Sequence, residues 1–311
     1  MSTFLQTLID AIAVGSLYAL IALGYTLVFG ILQFINFAHS DVFALGAWLT
    51  CISAVGLISV ARSHAIVGSP IVLGILVPIA AVVGCAVIGF LIQNFAYKPL
   101  RHAPRLNVLI TAIGVSLLLE NVGQLRAVFG PYPRTAPTII TDKVLAQIGG
   151  VQVRLIDVMV FSSALLLMLI MQYWIYHTRF GSAMRAVSYN LNIAALMGIN
   201  VDRVISLTFV IGSALAGAAG FLYAMKYPQL QQTAASTWIL LGLKAFVAAV
   251  VGGIGNVRGA LLGGILIGLI EFFGVAYLSS NYRDVYVFVV LILVLLIRPQ
   301  GILGTPAIEK V

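Results

Sequence analysis

Charge is scarce in this 311-residue chain, and that scarcity excludes most soluble architectures. Only 8% of the residues are charged, 61% are hydrophobic and the mean hydropathy is +1.11, where an ordinary soluble domain carries about 25% charged residues. Such a chain is a multispan membrane protein. Catalytic signatures are missing too. There is no GxxxxGK[ST] phosphate loop and no Gly-Lys dipeptide, so the chain has no recognisable means of binding and splitting ATP. HExxH, GxSxG and CxxC are also absent. The two cysteines, Cys51 and Cys85, fall inside apolar runs with nothing at ligand spacing beside them. Packing roles are expected for both, with no disulfide, metal site or cofactor.

What the chain has in abundance is apolar stretches of bilayer length separated by short polar breaks. They predict one helical membrane domain over residues 1–311: an all-α polytopic membrane protein with about nine transmembrane helices, with eight or ten as the bounds. The spans are Ala11 to Leu32, Val42 to Val60, Ile71 to Ala96, Val108 to Phe129, Ile156 to Tyr176, Val204 to Tyr227, Trp238 to Ile254, Ala260 to Leu278 and Val285 to Ile297. The first follows Met1-Ser2-Thr3 without a basic leader, so it reads as a retained span and not a signal peptide. Basic residues cluster in two connections, Lys98, Arg101 and Arg105 in one and Arg179, Arg185 and Arg203 in the other, which places both in the cytoplasm. Alternation then puts Gly130 to Leu155 and Asn281 to Asp284 outside, Arg258 and Arg298 with the tail inside, and the N-terminus outside. The net charge of +8 follows from these loops and from anionic lipid, and calls for no nucleic acid. Gly130 to Leu155, with Pro131, Pro133, Pro137 and Gly149-Gly150, is the longest external connection. It reads either as a contact for something arriving from outside or as a passive cover.

Polar residues at membrane depth must be bonded internally or face water. Asn36, His39, Ser40 and Asp41 form INFAHSD between the first two spans. Two readings stay open: a pathway lining at a helix break, or an ordinary turn with Asp41 as N-cap of the second helix. On the fourth helix Ser116, Glu120 and Gln124 repeat at four-residue spacing beside Asn121. Glu271 lies near the middle of the eighth, with Lys244 on the seventh as a partner to be tested. Each carboxylate reads as a proton relay or as helix-to-helix glue. Gly212, Ala216 and Gly220, then Gly259 and Gly263, and Gly264 and Gly268 allow close helix approach, within the chain or with a second membrane subunit.

Thr178 to Asn200 is helical in pattern and too polar to cross a bilayer. Met184, Val187, Leu191 and Ala194 recur at helical spacing, Ser182 can cap the start and Gly198 can supply a left-handed C-terminal turn. Arg185, Ser188 and Asn192 fall on another face. The segment is either an amphipathic connector on the lipid surface or a docking element for a cytoplasmic protein, with Met184, Val187 and Leu191 as an apolar ridge.

Taken together, GSLYALIALGYTLVFG, INFAHSD, GSAMRA with AALMGINVDRVISLTFVIG, GLKAFVAAVVGGIGNVRGALLGG and LIRPQGILG resemble the LivH-type membrane permeases of ABC importers for branched-chain amino acids. The resemblance spans nearly the whole chain. It implies a multi-pass permease of the bacterial inner membrane carrying branched-chain or related neutral amino acids, with no catalytic residues of its own. It also implies a second, related permease subunit, an extracytoplasmic solute-binding protein and two cytoplasmic ATP-binding subunits. The Ser182 to Gly198 region becomes the coupling segment, with Ser182, Met184, Arg185, Val187, Leu191 and Gly198 as its residues. Asn36, His39, Glu120 and Glu271 are the candidates for the translocation pathway. Two departures are visible: Ser40 stands where the family usually has Gly after NFAH, and Tyr189-Asn190 where an acidic residue is common. Related permeases carry urea or amides. A proton-coupled secondary transporter using Glu120 or Glu271 and an intramembrane enzyme using His39 are the competing classes.

Overall fold

The computed structural model describes residues 2–61, 69–101 and 103–304. Its helices are α1 (Ser2–Leu32), α2 (His39–Ala61), α3 (Pro70–Leu91), α4 (Arg105–Gly123), α5 (Leu155–His177), α6 (Arg179–Tyr189), α7 (Leu191–Leu196), α8 (Val201–Lys226), α9 (Ser236–Gly252), α10 (Val257–Tyr277) and α11 (Arg283–Ile297). Among the described residues eight helical segments are long and apolar enough to span a bilayer, and α9, with 17 residues, is the ninth apolar helix. The expected all-α polytopic fold is therefore the one observed. At 1.5 Å per residue α9 rises about 25 Å, short of a hydrocarbon core of about 30 Å. Its N-terminal end is capped by the preceding loop, where Trp238 Nε1 donates to the Gln232 carbonyl at 3.0 Å.

A helix apolar all round belongs at the centre of a bundle, and α1 is that helix: from Ala13 to Val28 every residue is buried. α10, α8, α5 and α9 pack around it. The tightest approach is to α10, where Gly264 lies on the Ala19 backbone and Gly268 on Ala11 and Gly15. A Cβ at Gly268 would fall 2.5 Å from the Ala11 carbonyl oxygen. Gly212 packs on α1 at Gly24 and Gly220 on α2 at Ala47, so these small-residue positions serve contacts within the chain. Close backbone approach supplies the dispersion contacts that hold helices together where no hydrophobic driving force exists. Cys51 and Cys85 are buried free thiols, and the Cys85 Sγ donates to the Val42 carbonyl at 3.4 Å. Large apolar side chains on the periphery, among them Ile71, Phe95, Leu118 and Leu296, are exposed where hydrocarbon would cover them.

Polar contacts define the two ends of the bundle. At one end Lys98 and Arg101 pair with Asp202, and Ser188 Oγ donates to the Gly30 carbonyl at 2.5 Å. The chain returns there after α11, with Ile302 N donating to Val251 O at 2.8 Å. At the other, Gln152 N donates to Gln6 Oε1 at 2.8 Å and Lys226 pairs with Asp157. The N-terminus thus lies opposite the basic connections, which follow α1–α3 and α1–α5, an odd number of helices in each case. The C-terminal tail after residue 304 lies outside the described residues.

Gly130 to Leu155 is more ordered than a bare loop. β1 (Arg134–Thr135) pairs with a later strand, and β2 (Val144–Ile148) and β3 (Val151–Arg154) form an antiparallel hairpin. Gly149 and Gly150 turn that hairpin at φ +57° and +87°, the left-handed pair that a tight hairpin demands. The partner of β1 is β4 (Gln229–Leu230). The fourth span ends at Gly123, not at Phe129 as the apolar pattern predicts, because Gly123 is packed against Thr233 and the chain turns there.

Candidate functional site

Between α1 and α2 the chain does not form a simple loop. α1 stops at Leu32, Gln33 takes φ +54°, and α2 starts at His39 with its first turn buried. Asn36 accepts from Tyr97 Oη at 2.6 Å. Tyr97 is turned inward by a π-helical stretch, Ile92–Tyr97, that continues α3, and the same stretch buries Gln93. The His39 ring stands edge-on to Tyr25 at 4.8 Å and against Gly24, with Nε2 lacking a hydrogen-bond partner. Asp41 is 2% exposed, and neither of its oxygens makes a hydrogen bond of ordinary geometry. The reading of Asp41 as N-cap is therefore overturned: α2 begins two residues earlier and the carboxylate points away from the turn, toward Ser116 and Glu120 of α4.

Ser116 and Glu120 line a cavity of about 250 Å³ with Tyr25, Ser40, Phe37 and Phe246, closed further by aliphatic side chains of α4 and α9. Ser40 Oγ donates to the Phe37 carbonyl at 3.0 Å, and Gly242 of α9 sits on the Ser40 side chain. The remaining members of the expected α4 stripe are elsewhere. Gln124 lies past the helix end, and Asn121 is exposed with its amide donating to the Leu117 carbonyl at 2.7 Å. Of the four pathway candidates, Glu120 lines this cavity; Asn36 and His39 stand behind it on the α1 and π-helix side.

Glu271 lies in a second group. Lys244 Nζ contacts Glu271 Oε1 at 2.8 Å and Asp284 Oδ1 at 2.6 Å, Arg283 donates to the same Glu271 oxygen, and Tyr18 Oη donates to Oε2 at 2.7 Å. The pairing of Glu271 with Lys244 is the one expected; Arg283 and Asp284, read as an external loop, instead open α11 and close the network. The group borders a cavity of about 300 Å³ at the N-terminal end of the bundle. Two cations and two carboxylates make it neutral overall.

The 178–200 segment differs from expectation in three respects. Thr178, not Ser182, is the N-cap, its Oγ1 accepting from Gly181 N at 3.1 Å, because the helix already starts at Arg179, where Phe180 stacks on Trp174. The single helix is two, because Asn190 leaves helical geometry and caps α7 through Asn192 N and Ile193 N. Met184 and Val187 face the bundle and are buried, so the expected outward ridge is instead the seam that fixes α6 to its own spans. Arg185 donates to the Ile175 carbonyl and to Ser182 Oγ. Leu191, Ile193, Leu196 and Met197 are the exposed apolar residues, and Gly198 turns the chain at φ +81° as expected.

A family model described as branched-chain amino acid transport system / permease component matches residues 7–296. The high-affinity branched-chain amino acid transport system permease protein BraD of Pseudomonas aeruginosa is 39% identical over 311 residues, covering 99% of this chain and 98% of that protein. The corresponding LivH of Escherichia coli K12 is 39% identical over 313 residues with the same coverage. A probable LivH of Methanocaldococcus jannaschii is 30% identical over 94% of this chain and 90% of its own. No solved structure matches.

Proposed function

The chain belongs to the branched-chain amino acid transport system permease family, and from that premise we propose that it is a permease subunit of an ATP-driven importer for branched-chain or related neutral amino acids. The carrying observation is likeness over 99% of the chain to proteins named for that transport. On this reading residues 1–311 are one permease domain in the inner membrane, and two partner ATP-binding subunits hydrolyse the nucleotide that this chain has no loop to hold.

Coupling to those subunits is assigned to α6 and α7. The basic connections beside them favour the cytoplasmic side. Leu196 and Met197, 87% and 76% exposed, offer an apolar surface at an end of the bundle where water would otherwise meet it. Met184 and Val187 anchor that surface to α1 and α8, so a push on α7 moves the spans. A second permease subunit is supported by the flank where α4 meets α9: Ser116 and Glu120 open there, and a carboxyl group facing hydrocarbon is strongly disfavoured. The β2–β3 hairpin and the cavity beside it, lined by Asp10, Asp142, Arg154 and Lys226, form the end offered to an extracytoplasmic binding protein.

Vesicles holding the chain with its companion subunits should take up leucine, isoleucine and valine only when ATP is supplied on the side of α6 and α7. Leu196→Asp should insert normally, lose ATPase co-purification and lose uptake. Uptake driven by an imposed proton gradient without ATP would instead establish a secondary transporter.

A further inference from the structure

The group around Glu271 is closed at the back and open at the front. The Glu271 and Lys244 side chains are buried, whereas those of Arg283 and Asp284, 47% and 43% exposed, reach the cavity that the group borders. Tyr18, Lys244 and Arg283 between them bond both Glu271 oxygens. The front pair keeps atoms to spare. Arg283 uses only its Nε and Asp284 only its Oδ1, so the two terminal guanidinium nitrogens and Asp284 Oδ2 make no hydrogen bond or ion pair within the described residues. A planar guanidinium edge matches a carboxylate, and a free carboxylate oxygen accepts from an ammonium. Cation and anion stand side by side because residues 283 and 284 open α11.

The rest of the wall is largely apolar, with Leu17, Ile21, Phe43 and Leu240 in it. The volume, about 300 Å³, reaches the roughly 300–1,000 Å³ of small-molecule pockets. Tyr227 is shared with the larger cavity beside the β2–β3 hairpin, so the two spaces adjoin. Two cations and two carboxylates already balance, and a ligand of net charge would bring a charge that nothing in the group answers. A molecule with both signs at one end and an aliphatic body at the other meets each of these requirements. Resting on the transport reading above, we propose that this cavity takes the amino acid as a zwitterion, its carboxylate on the Arg283 guanidinium, its ammonium on Asp284 and its side chain against Leu17, Ile21 and Phe43. Glu271, Lys244 and Tyr18 hold Arg283 and Asp284 in position.

The test uses the assembled transporter in vesicles without ATP, with Thr237→Cys as a reporter; Thr237 lines the cavity and is exposed, and the native cysteines are buried. Alkylation at position 237 by a neutral maleimide is timed with leucine, with 3-methylbutylamine, which lacks the carboxylate, and with 4-methylpentanoate, which lacks the ammonium. Leucine should slow alkylation, and each analogue should need a concentration higher on the order of ten-fold, since each forfeits one set of charged hydrogen bonds. Adding Asp284→Asn should weaken protection by leucine on the order of ten-fold and leave protection by the acid no weaker, which separates a lost ammonium contact from a lost fold. The analogue comparison decides by itself should that variant fail to assemble. Equal protection by either analogue, leucine protection unchanged by Asp284→Asn, or no reaction at position 237 in any state would each overturn the assignment. ATP-driven leucine uptake by the same complex separates the two claims. Uptake without leucine protection removes this site alone, whereas protection without uptake removes the transport reading and leaves a zwitterion site.

Discussion

Glu271, 0% exposed, and Asp41, 2% exposed, are carboxylates at membrane depth on neighbouring sides of α1, yet their surroundings are opposite. Glu271 has both oxygens bonded, to Lys244, Arg283 and Tyr18, in a group drawn from α1, α9, α10 and α11. Asp41 has neither oxygen in a hydrogen bond of ordinary geometry and points toward Ser116 and Glu120 of α4, with no cation beside it. A buried ion is tolerable only when its own fold answers it. The first arrangement is complete in itself and joins four helices. The second has no such answer within the described residues.

The comparison is easiest to break at the fastening. Lys244→Met leaves Glu271 and Asp284 facing one half-exposed guanidinium, and removal of one partner from a buried ion group costs about 3–5 kcal/mol. The variant should show a sharply lowered thermal midpoint in detergent and poor accumulation in the membrane. A Lys244→Met chain of wild-type stability that no longer transports would move the network from structure to mechanism. Tyr18→Phe is the milder cut. It deletes one hydrogen bond to a charged acceptor, worth about 1.5–3 kcal/mol, while keeping the ring that packs at 2% exposure. Its midpoint should fall measurably, with uptake per folded molecule unchanged.

The spans were legible because hydrocarbon imposes length and composition on each of them separately, with no need to know the neighbours. Lys244 with Glu271 was legible for a related reason: few cations exist at membrane depth, so a buried carboxylate has few partners to choose from. Asp41 opposite Glu120 was not, since it depends on α2 and α4 meeting and on the turn at Gln33, where a non-glycine residue takes φ +54°. The period of Met184 and Val187 revealed that α6 has an apolar face. It could not say whether that face meets lipid, a partner or the chain's own bundle. Asn190 is a strong N-cap residue and marks the start of α7, but a continuous helical period through it concealed the break.

The smallest expected change in stability is also the one that most sharpens the comparison. Asp41→Asn removes no hydrogen bond from the resting chain, because neither carboxylate oxygen makes one, and it spares the fold a buried ionisable group without an answering cation. Stability should therefore hold or rise by up to about 1 kcal/mol, as when a functional residue is released from its task. The amide keeps the size of the side chain but loses the charge, so leucine uptake should drop on the order of ten-fold or more while ATPase subunits still co-purify. Stability kept with transport lost is the signature of a site whose partner arrives from solution. Lys244→Met should give the reverse order of effects. If Asp41→Asn instead lowered the thermal midpoint as far as Lys244→Met, and uptake merely followed the folded fraction, Asp41 would be a fastening like Glu271 and the contrast between the two regions would be gone.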